Sequence, residues 1–498
     1  MFKGGIPEIR IRLVEGQTEI VFRPRGSMTT DAFKAEAHTL WRVKSLRSEP
    51  AVTSFQIQLG DHASSDPINL KEEADVWKER GIPTVAVTIG MKFSLGDQFA
   101  DSRRTLLLGA HHFPRSGRIS PTAEAEQQRL LRTYGLRTSL FETIEHPSKG
   151  SMQLLNEAGN PVMTRDAAME IDIADAAGFE LGTGQKAYRG NLEISFDQKG
   201  QLVAVNRLSI EDLLKGLVPS EMYASAPAEA LKAQAVSARG EMLATIGTRH
   251  LGDPYSLCSE QHCAVYRGLL GEAASTTQAV DDTRGQMLFN SEGKLIHSVY
   301  SAVCGGHTEN NEAAWDEPAD PALRGVTDVL AKNQQDLPDE AVTDLADFVR
   351  DSHYPAACQP SRFSSSQRFR WERTFTQAEV NQLTSSFHIG DTQIISVAQR
   401  GASGRATLLT LAGTLGATQV KGELTIRKLF KMLNSSLFEV QPQRNAQGHL
   451  TAWNFTGAGW GHGVGMCQTG AIGRAQAGQT YVDILSHYFT GSTIARGY

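Results

Sequence analysis

The sequence predicts an α+β protein, on three features. Apolar and polar side chains alternate in short runs such as Glu8–Val14 and Leu192–Phe196, the period of a half-buried strand. Between about 41 and 146 two strand–helix–strand units of similar size follow one another, a pairing that builds one small α/β layer. Further on, the Ala-rich stretch Pro227–Ile246 sets Leu231, Ala235, Ala238, Met242 and Ile246 three and four apart, one buried stripe of a helix.

In chain order, residues 8–24 read as a hairpin, with Glu15-Gly16-Gln17 turning the alternating run into Thr18–Phe22. The first strand–helix–strand unit has strands at Ser54–Gly60 and Pro83–Ile89 around a helix at Leu70–Arg80. The second has strands at Thr105–Gly109 and Arg137–Ile144 around a helix near Thr122–Tyr134. A second hairpin sets Leu192–Phe196 against Gln201–Val205 across the turn Asp197–Gly200. The Ala-rich helix has Pro227 near its start, where a missing N–H costs little, and Gly247 just past its end. Lys232 and Arg239, seven apart, share one edge of it. Gln286–Asn290 and Lys294–Tyr300 form a further hairpin through Ser291-Glu292-Gly293. Residues 316–450 read as a β-rich insertion, opening with the turn-rich Asp316–Pro321 and leading through strands such as Thr407–Leu411 to Glu423–Phe430. Thr480 with Asp483 caps a last helix through Tyr488. The expected divisions are a β-hairpin region at 1–40, an α/β region at 41–187, a core in two parts at 188–315 and 451–498, and the insertion between them.

A chain of 498 residues holds about two to four domains. Its 40% apolar and 21% charged residues are those of a soluble globular protein. A net charge of −6 argues against a nucleic-acid partner, and with no apolar run of about 18 residues no membrane span is expected. Met1-Phe2-Lys3-Gly4-Gly5 lacks the apolar core of a secretory signal, so the chain is either cytosolic or without its signal. Five scattered cysteines are too few for a disulfide framework.

Pro219-Ser220-Glu221-Met222 places one carboxylic acid on a short turn before the helix that carries Lys232, Gln234 and Arg239. An acid so held suits protonation of a glycosidic oxygen; the ordinary alternative is a solvated charge at a helix entry. Four segments resolve the choice by resemblance. They are Ile210–Gly216 with Val218–Met222 and Glu229–Val236; Gln261-His262-Cys263; Gly305-Gly306-His307-Thr308-Glu309-Asn310; and Gly459-Trp460-Gly461-His462-Gly463-Val464-Gly465-Met466. In that order they resemble the SpoIID family, stage II sporulation protein D and the LytB-type amidase enhancers, over roughly 190–316 and 450–498.

The resemblance implies a catalytic core with a substrate cleft and a lytic transglycosylase, which cuts the MurNAc–GlcNAc bond of peptidoglycan and leaves a 1,6-anhydroMurNAc end. It maps the catalytic acid onto Glu221. It also implies export to the periplasm or cell wall, glycan strands as substrate (with or without stem peptides) and a cell-wall amidase as a partner. The same family includes stimulators of such amidases, so a non-enzymatic enhancer is the alternative, and a pure glycan-binding module is a third. Residues 41–187 resemble the glycan-binding SPOR fold through Phe55–Gly60, against the reading of a plain structural repeat.

One acid suffices where the C6 hydroxyl of the same sugar attacks, whereas a hydrolase that uses water needs a second carboxylate. Glu309 is the candidate for one, with Glu211 and Asp212 as others. A cation beside Glu221 would depress its pKa, so Arg239 is expected to pair instead with a lactyl carboxylate of the glycan. His250, Cys258, His262 and Cys263 offer the N/S donors zinc prefers, with no position left open, hence a structural metal; some relatives in the resembled family carry zinc here, and a Cys258–Cys263 disulfide is the competing reading. His307 and His462 sit in Gly-rich turns as sugar-binding residues or as turn residues bonding their own loops. Trp460 either stacks on a sugar or packs in the core. Cys304 and Cys467 form a disulfide or stay as buried thiols.

Overall fold

The computed structural model describes residues 2–64, 66–115, 120–136, 138–174, 177–182, 186–315, 317–330 and 345–498. The expected strand start at Arg137, the expected turn start at Asp316 and residues 331–344 of the expected insertion lie outside them. Helices and strands are mixed throughout, an α+β protein in two compact bodies. One holds the chain up to Glu221 with Met242–Thr277 and Gly497–Tyr498; the other holds Met222–Glu241 and Gln278–Arg496.

In the first body, antiparallel strands Ile6–Gln17, Leu202–Ser209, Asn191–Phe196 and Met169–Ile173 lie side by side. A second sheet runs Pro161–Arg165, Lys149–Leu155, Trp41–Glu49, Glu19–Pro24, Phe179–Leu181, Lys186–Tyr188. The expected hairpin at 8–24 is therefore corrected. Both strands exist, but Ile6–Gln17 pairs with Leu202–Ser209 and Glu19–Pro24 with Trp41–Glu49. The corner between them is pinned elsewhere, the Gly16 N–H donating to Asp197 at 3.0 Å. Alternation announced the strands; it carries no information about their partners. The hairpin 191–209 forms as expected, Asp197 accepting from the N–H groups of Lys199 and Gln201, both at 2.9 Å.

The two strand–helix–strand units do build one layer. Its strands run Ser139–His146, Val52–Ala63, Arg104–Gly109, Thr84–Ile89, each antiparallel to its neighbours. Helices α1 (Pro67–Glu79) and α2 (Pro121–Tyr134) make the crossovers, giving the split βαβ topology. Phe55, Ile57, Leu59, Trp77, Leu107 and Leu130 form its core. The layer is narrower than 41–187, because Trp41–Glu49 and Lys149–Leu155 pair with each other in the adjoining sheet.

Two helices follow, α3 (Ile210–Glu221) and α4 (Ala228–Ala244). In the second body Leu231, Val236, Val303, Met466, Ile484 and Leu485 share one core. Tyr300–Ser301 pairs in parallel with Met466–Cys467, which joins two of the motif segments. The expected 286–300 hairpin is corrected: the turn forms, the Asn290 N–H donating to the Lys294 carbonyl, but among the described residues the return leg gives only the bridge Phe289–Leu295, and Gln286–Phe289 takes Thr493–Arg496 as its strand partner. The β-rich segment has its own core around Phe375, Leu409, Phe430 and Phe455. It ends beyond 450, since Leu450–Ala458 is the middle strand between Arg370–Thr376 and Phe438–Arg444. Among the described residues no helix is long and apolar enough to cross a membrane.

Candidate functional site

Ser209 caps α3: its Oγ receives the Asp212 N–H at 3.1 Å and donates to the Asp212 carboxylate at 2.7 Å. Leu213, Leu214, Leu217 and Val218 are buried. Gly216 is required, because a Cβ there would lie 2.7 Å from the Tyr266 ring and 2.9 Å from the Gly268 carbonyl. Glu221 is the last residue of this helix, half-buried. The expected free turn is corrected: the chain stays helical through Pro219 and turns only after Glu221. Glu211, by contrast, is 1% exposed and accepts the Tyr498 hydroxyl at 2.6 Å.

The four expected metal ligands converge in the first body. The donor atoms of His250, Cys258, His262 and Cys263 all lie within 4.8 Å of one another. His250 Nε2 is 3.3 Å from the Cys263 Sγ, and His262 Nδ1 is 3.5 and 3.7 Å from the sulfurs of Cys263 and Cys258. Cys258 is fixed by the short strand Leu257–Cys258, parallel to Ile6–Gln17. His250 sits in the left-handed region at φ 53°, a conformation that persists only where surroundings impose it. Asp253, which the sequence reading missed, holds His250 Nδ1 at 3.0 Å, the carboxylate partner that orients metal-bound imidazoles. That bond, then the one to Cys263, raises the His250 pKa to about 10. Burial pushes the Cys263 thiol up, but the bond to His250 and those to Cys258 outweigh it and bring it to about 6. Two imidazoles and two sulfurs with their donor atoms this close fit a tetrahedral N₂S₂ metal. Cys258 and Cys263 are both free thiols, so the competing disulfide is absent.

The remaining expected residues lie in the second body, and most are committed to the fold. The single stripe expected for α4 is corrected, since residues 233–240 are buried all round the helix. Arg239 is 0% exposed, and its guanidinium donates to the carbonyls of Gln286 at 2.9 Å and Val280 at 3.4 Å. A glycan carboxylate cannot reach it, and its expected substrate role is withdrawn. Gln234 is equally sealed, its Oε1 accepting from Gln468 at 3.1 Å. Lys232 reaches the surface but is held by Glu229 at 3.0 Å and Asp282 at 3.5 Å. Glu309, 1% exposed, accepts the Ser403 hydroxyl at 2.6 Å and is corrected from candidate second carboxylate facing the substrate to buried anchor.

His307 is buried with Nδ1 donating to the Thr308 carbonyl at 2.6 Å, and burial lowers its pKa. His462 donates from Nε2 to the Tyr300 carbonyl at 3.0 Å and accepts the Val464 N–H at Nδ1. Both are the turn histidines of the second alternative. Trp460 is 41% exposed, with the Arg368 guanidinium 5.2 Å from its ring centre, so it is not a core residue. Arg405 was missed altogether. It donates to the carbonyls of His307 at 3.2 Å and Cys304 at 2.8 Å, and a Cβ on Gly463 would fall 2.3 Å from its Cζ. It thus clasps the two Gly-rich loops from a segment with no motif around it. The Cys304–Cys467 disulfide is likewise absent; both are free, with Cys358 beside them.

The profile described as Stage II sporulation protein matches residues 198–289. An uncharacterized protein of Brachyspira hyodysenteriae is 31% identical over 296 residues, 59% of this chain and 68% of that protein. Stage II sporulation protein D of Bacillus amyloliquefaciens is 27% identical over 307 residues, 59% of this chain and 76% of its own length. The chain belongs to the stage II sporulation protein D family. The family match takes in α3 with Glu221 and the whole His250–Cys263 cluster. The Amidase enhancer of Bacillus subtilis is 28% identical over 301 residues, and the chain spans 40% of its length. A domain of unknown function (DUF8618) matches residues 309–465, which contain the β-rich segment.

Proposed function

We propose that the chain is a lytic transglycosylase of peptidoglycan, cutting between MurNAc and GlcNAc with Glu221 as its acid. One observation carries this reading. Of the four carboxylates considered for the chemistry, Glu211 and Glu309 are each 1% exposed, and that of Asp212 accepts the hydroxyl of Ser209, the residue that caps the helix. Glu221 is only half-buried and so open to a substrate, at the carbonyl end of α3, a place that disfavours added negative charge. A single acid suits a reaction in which Glu221 protonates the leaving oxygen and then takes the proton of the attacking C6 hydroxyl. No second carboxylate is needed to activate water. The exposed Trp460 face beside Arg368 suits sugar stacking. Zinc is the metal we assign to His250, Cys258, His262 and Cys263; when bound it braces the loop and, with four protein ligands, activates no water. Location in the cell wall follows from the substrate, and the split βαβ layer is a candidate glycan-binding module.

A second reading rests on the relative named Amidase enhancer, in which the chain would stimulate a cell-wall amidase without cutting glycan. Purified chain incubated with peptide-free and with peptide-bearing glycan strands separates them by mass spectrometry. The enzyme gives 1,6-anhydroMurNAc ends that Glu221→Gln does not. Absence of such ends on both substrates, with faster release of stem peptides when an amidase is added, overturns the first reading in favour of the second.

A further inference from the structure

Three buried thiols and one carboxylate meet in the second body, none of them a member of the His250 cluster. The sulfurs of Cys304, Cys358 and Cys467 and a carboxylate oxygen of Asp328 all lie within 4.8 Å of one another, every residue 0% exposed. Cys304 follows the Tyr300–Ser301 strand, and Cys467 ends the Gly-rich loop and caps the helix Gln468–Gln476. Cys358 and Asp328 come from the expected insertion.

We propose that Cys304, Asp328, Cys358 and Cys467 form a second metal site, taking zinc or another thiophilic divalent ion in a tetrahedral S₃O sphere. The donors suit it, thiolate sulfurs with one carboxylate oxygen, in a spread that closes on ligand distances of about 2.0–2.3 Å with small shifts. Asp328 is aimed at the sulfurs: Oδ2 lies 3.1 Å from the Cys304 Sγ, while Oδ1 is held by Arg474 at 3.1 and 3.2 Å and by the Tyr488 hydroxyl at 2.6 Å. A ligand carboxylate fixed through its other oxygen is what an ordered metal sphere requires.

Backbone N–H groups also point at the sulfurs. Those of Cys304 and Gly470 donate to the Cys467 Sγ at 3.1 and 3.3 Å, and that of Gly306 to the Cys304 Sγ at 3.4 Å. Such donors stabilise thiolate over thiol. Arg474 and the nearby Arg370 supply the positive charge that three thiolates and a carboxylate leave uncompensated around a divalent ion. A disulfide uses the cluster less well. Cys304 and Cys358 stand at a non-bonded 3.5 Å, and their union would strand Cys467 and the inward oxygen of Asp328.

Metal content of the full chain, purified under reducing conditions from zinc-supplemented cells, tests this by native mass spectrometry. Two zinc ions per chain are expected, falling to one in Cys358→Ser. The Cys258→Ser/Cys263→Ser variant keeps one, and after exchange with cobalt shows the intense visible bands of a tetrahedral thiolate site. That variant lacks the His250 cluster, so failure of the zinc assignment there and failure of the second site give different results. Where Cys358→Ser fails to fold, the wild-type count decides. A wild-type chain that saturates at one zinc, lost in Cys258→Ser/Cys263→Ser, overturns the proposal, as does a Cys304–Cys358 cross-link recovered from chain prepared without reductant.

Discussion

Arg239 and Glu221 stand eighteen positions apart in the sequence, and their surroundings assign them opposite work. The Arg239 guanidinium serves backbone carbonyls inside a core with no exposure. Arg239→Met keeps most of its volume but removes the guanidinium bonds to the Gln286 and Val280 carbonyls, at about 1–3 kcal/mol for each group left unsatisfied. Urea unfolding is expected to register that loss, while the folded fraction binds glycan with unchanged affinity; weaker binding at unchanged stability would restore a substrate role. Glu221→Gln, which keeps the size of the side chain, should do the reverse: anhydro-sugar product disappears while urea unfolding still reports a cooperatively folded chain. The sequence marked both residues as functional because it displays charge and spacing. It does not display that Ala230, Ala233, Ala235, Ala238 and Gly240 let neighbours close around α4 on every side. The His250 cluster was legible because two Cys and two His close together in sequence offer a soft donor set, whereas Arg405 was not, since a buried arginine looks like any other until its partners are known.

Elements were legible where chemistry is local. The Thr480–Asp483 pair does cap a helix, Tyr481–Tyr488, and the turn at 197–200 does close a hairpin. The 8–24 hairpin failed because strand partners are chosen by long-range burial. That last helix also carries a pH prediction. His487 accepts from Arg474 at Nε2, 2.7 Å away, and His462 accepts from Val464 in the Gly-rich loop. Burial first, then the guanidinium of Arg474 or Arg405, brings both histidines from 6.5 to about 3. Between those values the unfolded chain binds protons that the folded chain refuses. Their contribution is therefore fully present above about pH 6.5 and is lost as pH falls toward about 3. At about 1.4 kcal/mol per pKa unit, stability should fall by on the order of a few kcal/mol between pH 7 and 4.5, above most carboxylate titrations. His487→Gln should flatten part of that slope in urea midpoints; a wild-type midpoint that is level over this range would refute the assignment.

On the scale of the whole molecule, the β-rich character of the segment before 450 was visible, but where strands join their sheets was not. The N-terminal strand Ile6–Gln17 belongs with Leu202–Ser209, and the βαββαβ layer opens between two paired strands, Trp41–Glu49 and Lys149–Leu155. Composition shifts mark loops, and neither join falls at one. The first body's sheet reaches the His250 cluster directly, since Leu257–Cys258 pairs with Ile11 and Arg12. Zinc bound only by the folded loop would stabilise it by about 2.7 kcal/mol at a hundredfold excess over Kd. Removing the metal should then raise local opening without unfolding the sheet. Hydrogen exchange before and after chelation is expected to show faster exchange across 250–263 and at the edge-strand amides of 257–258, with 191–209 unchanged. If amides near Cys304, Cys358 and Cys467 quicken in the same experiment, the second centre holds metal as well. Cys258→Ser/Cys263→Ser should then lose the first response and keep the second. A chelator that leaves 250–263 as protected as before would mean that hydrogen bonds alone hold the loop, with His250 paired to Asp253 and Cys263, and that no metal braces it.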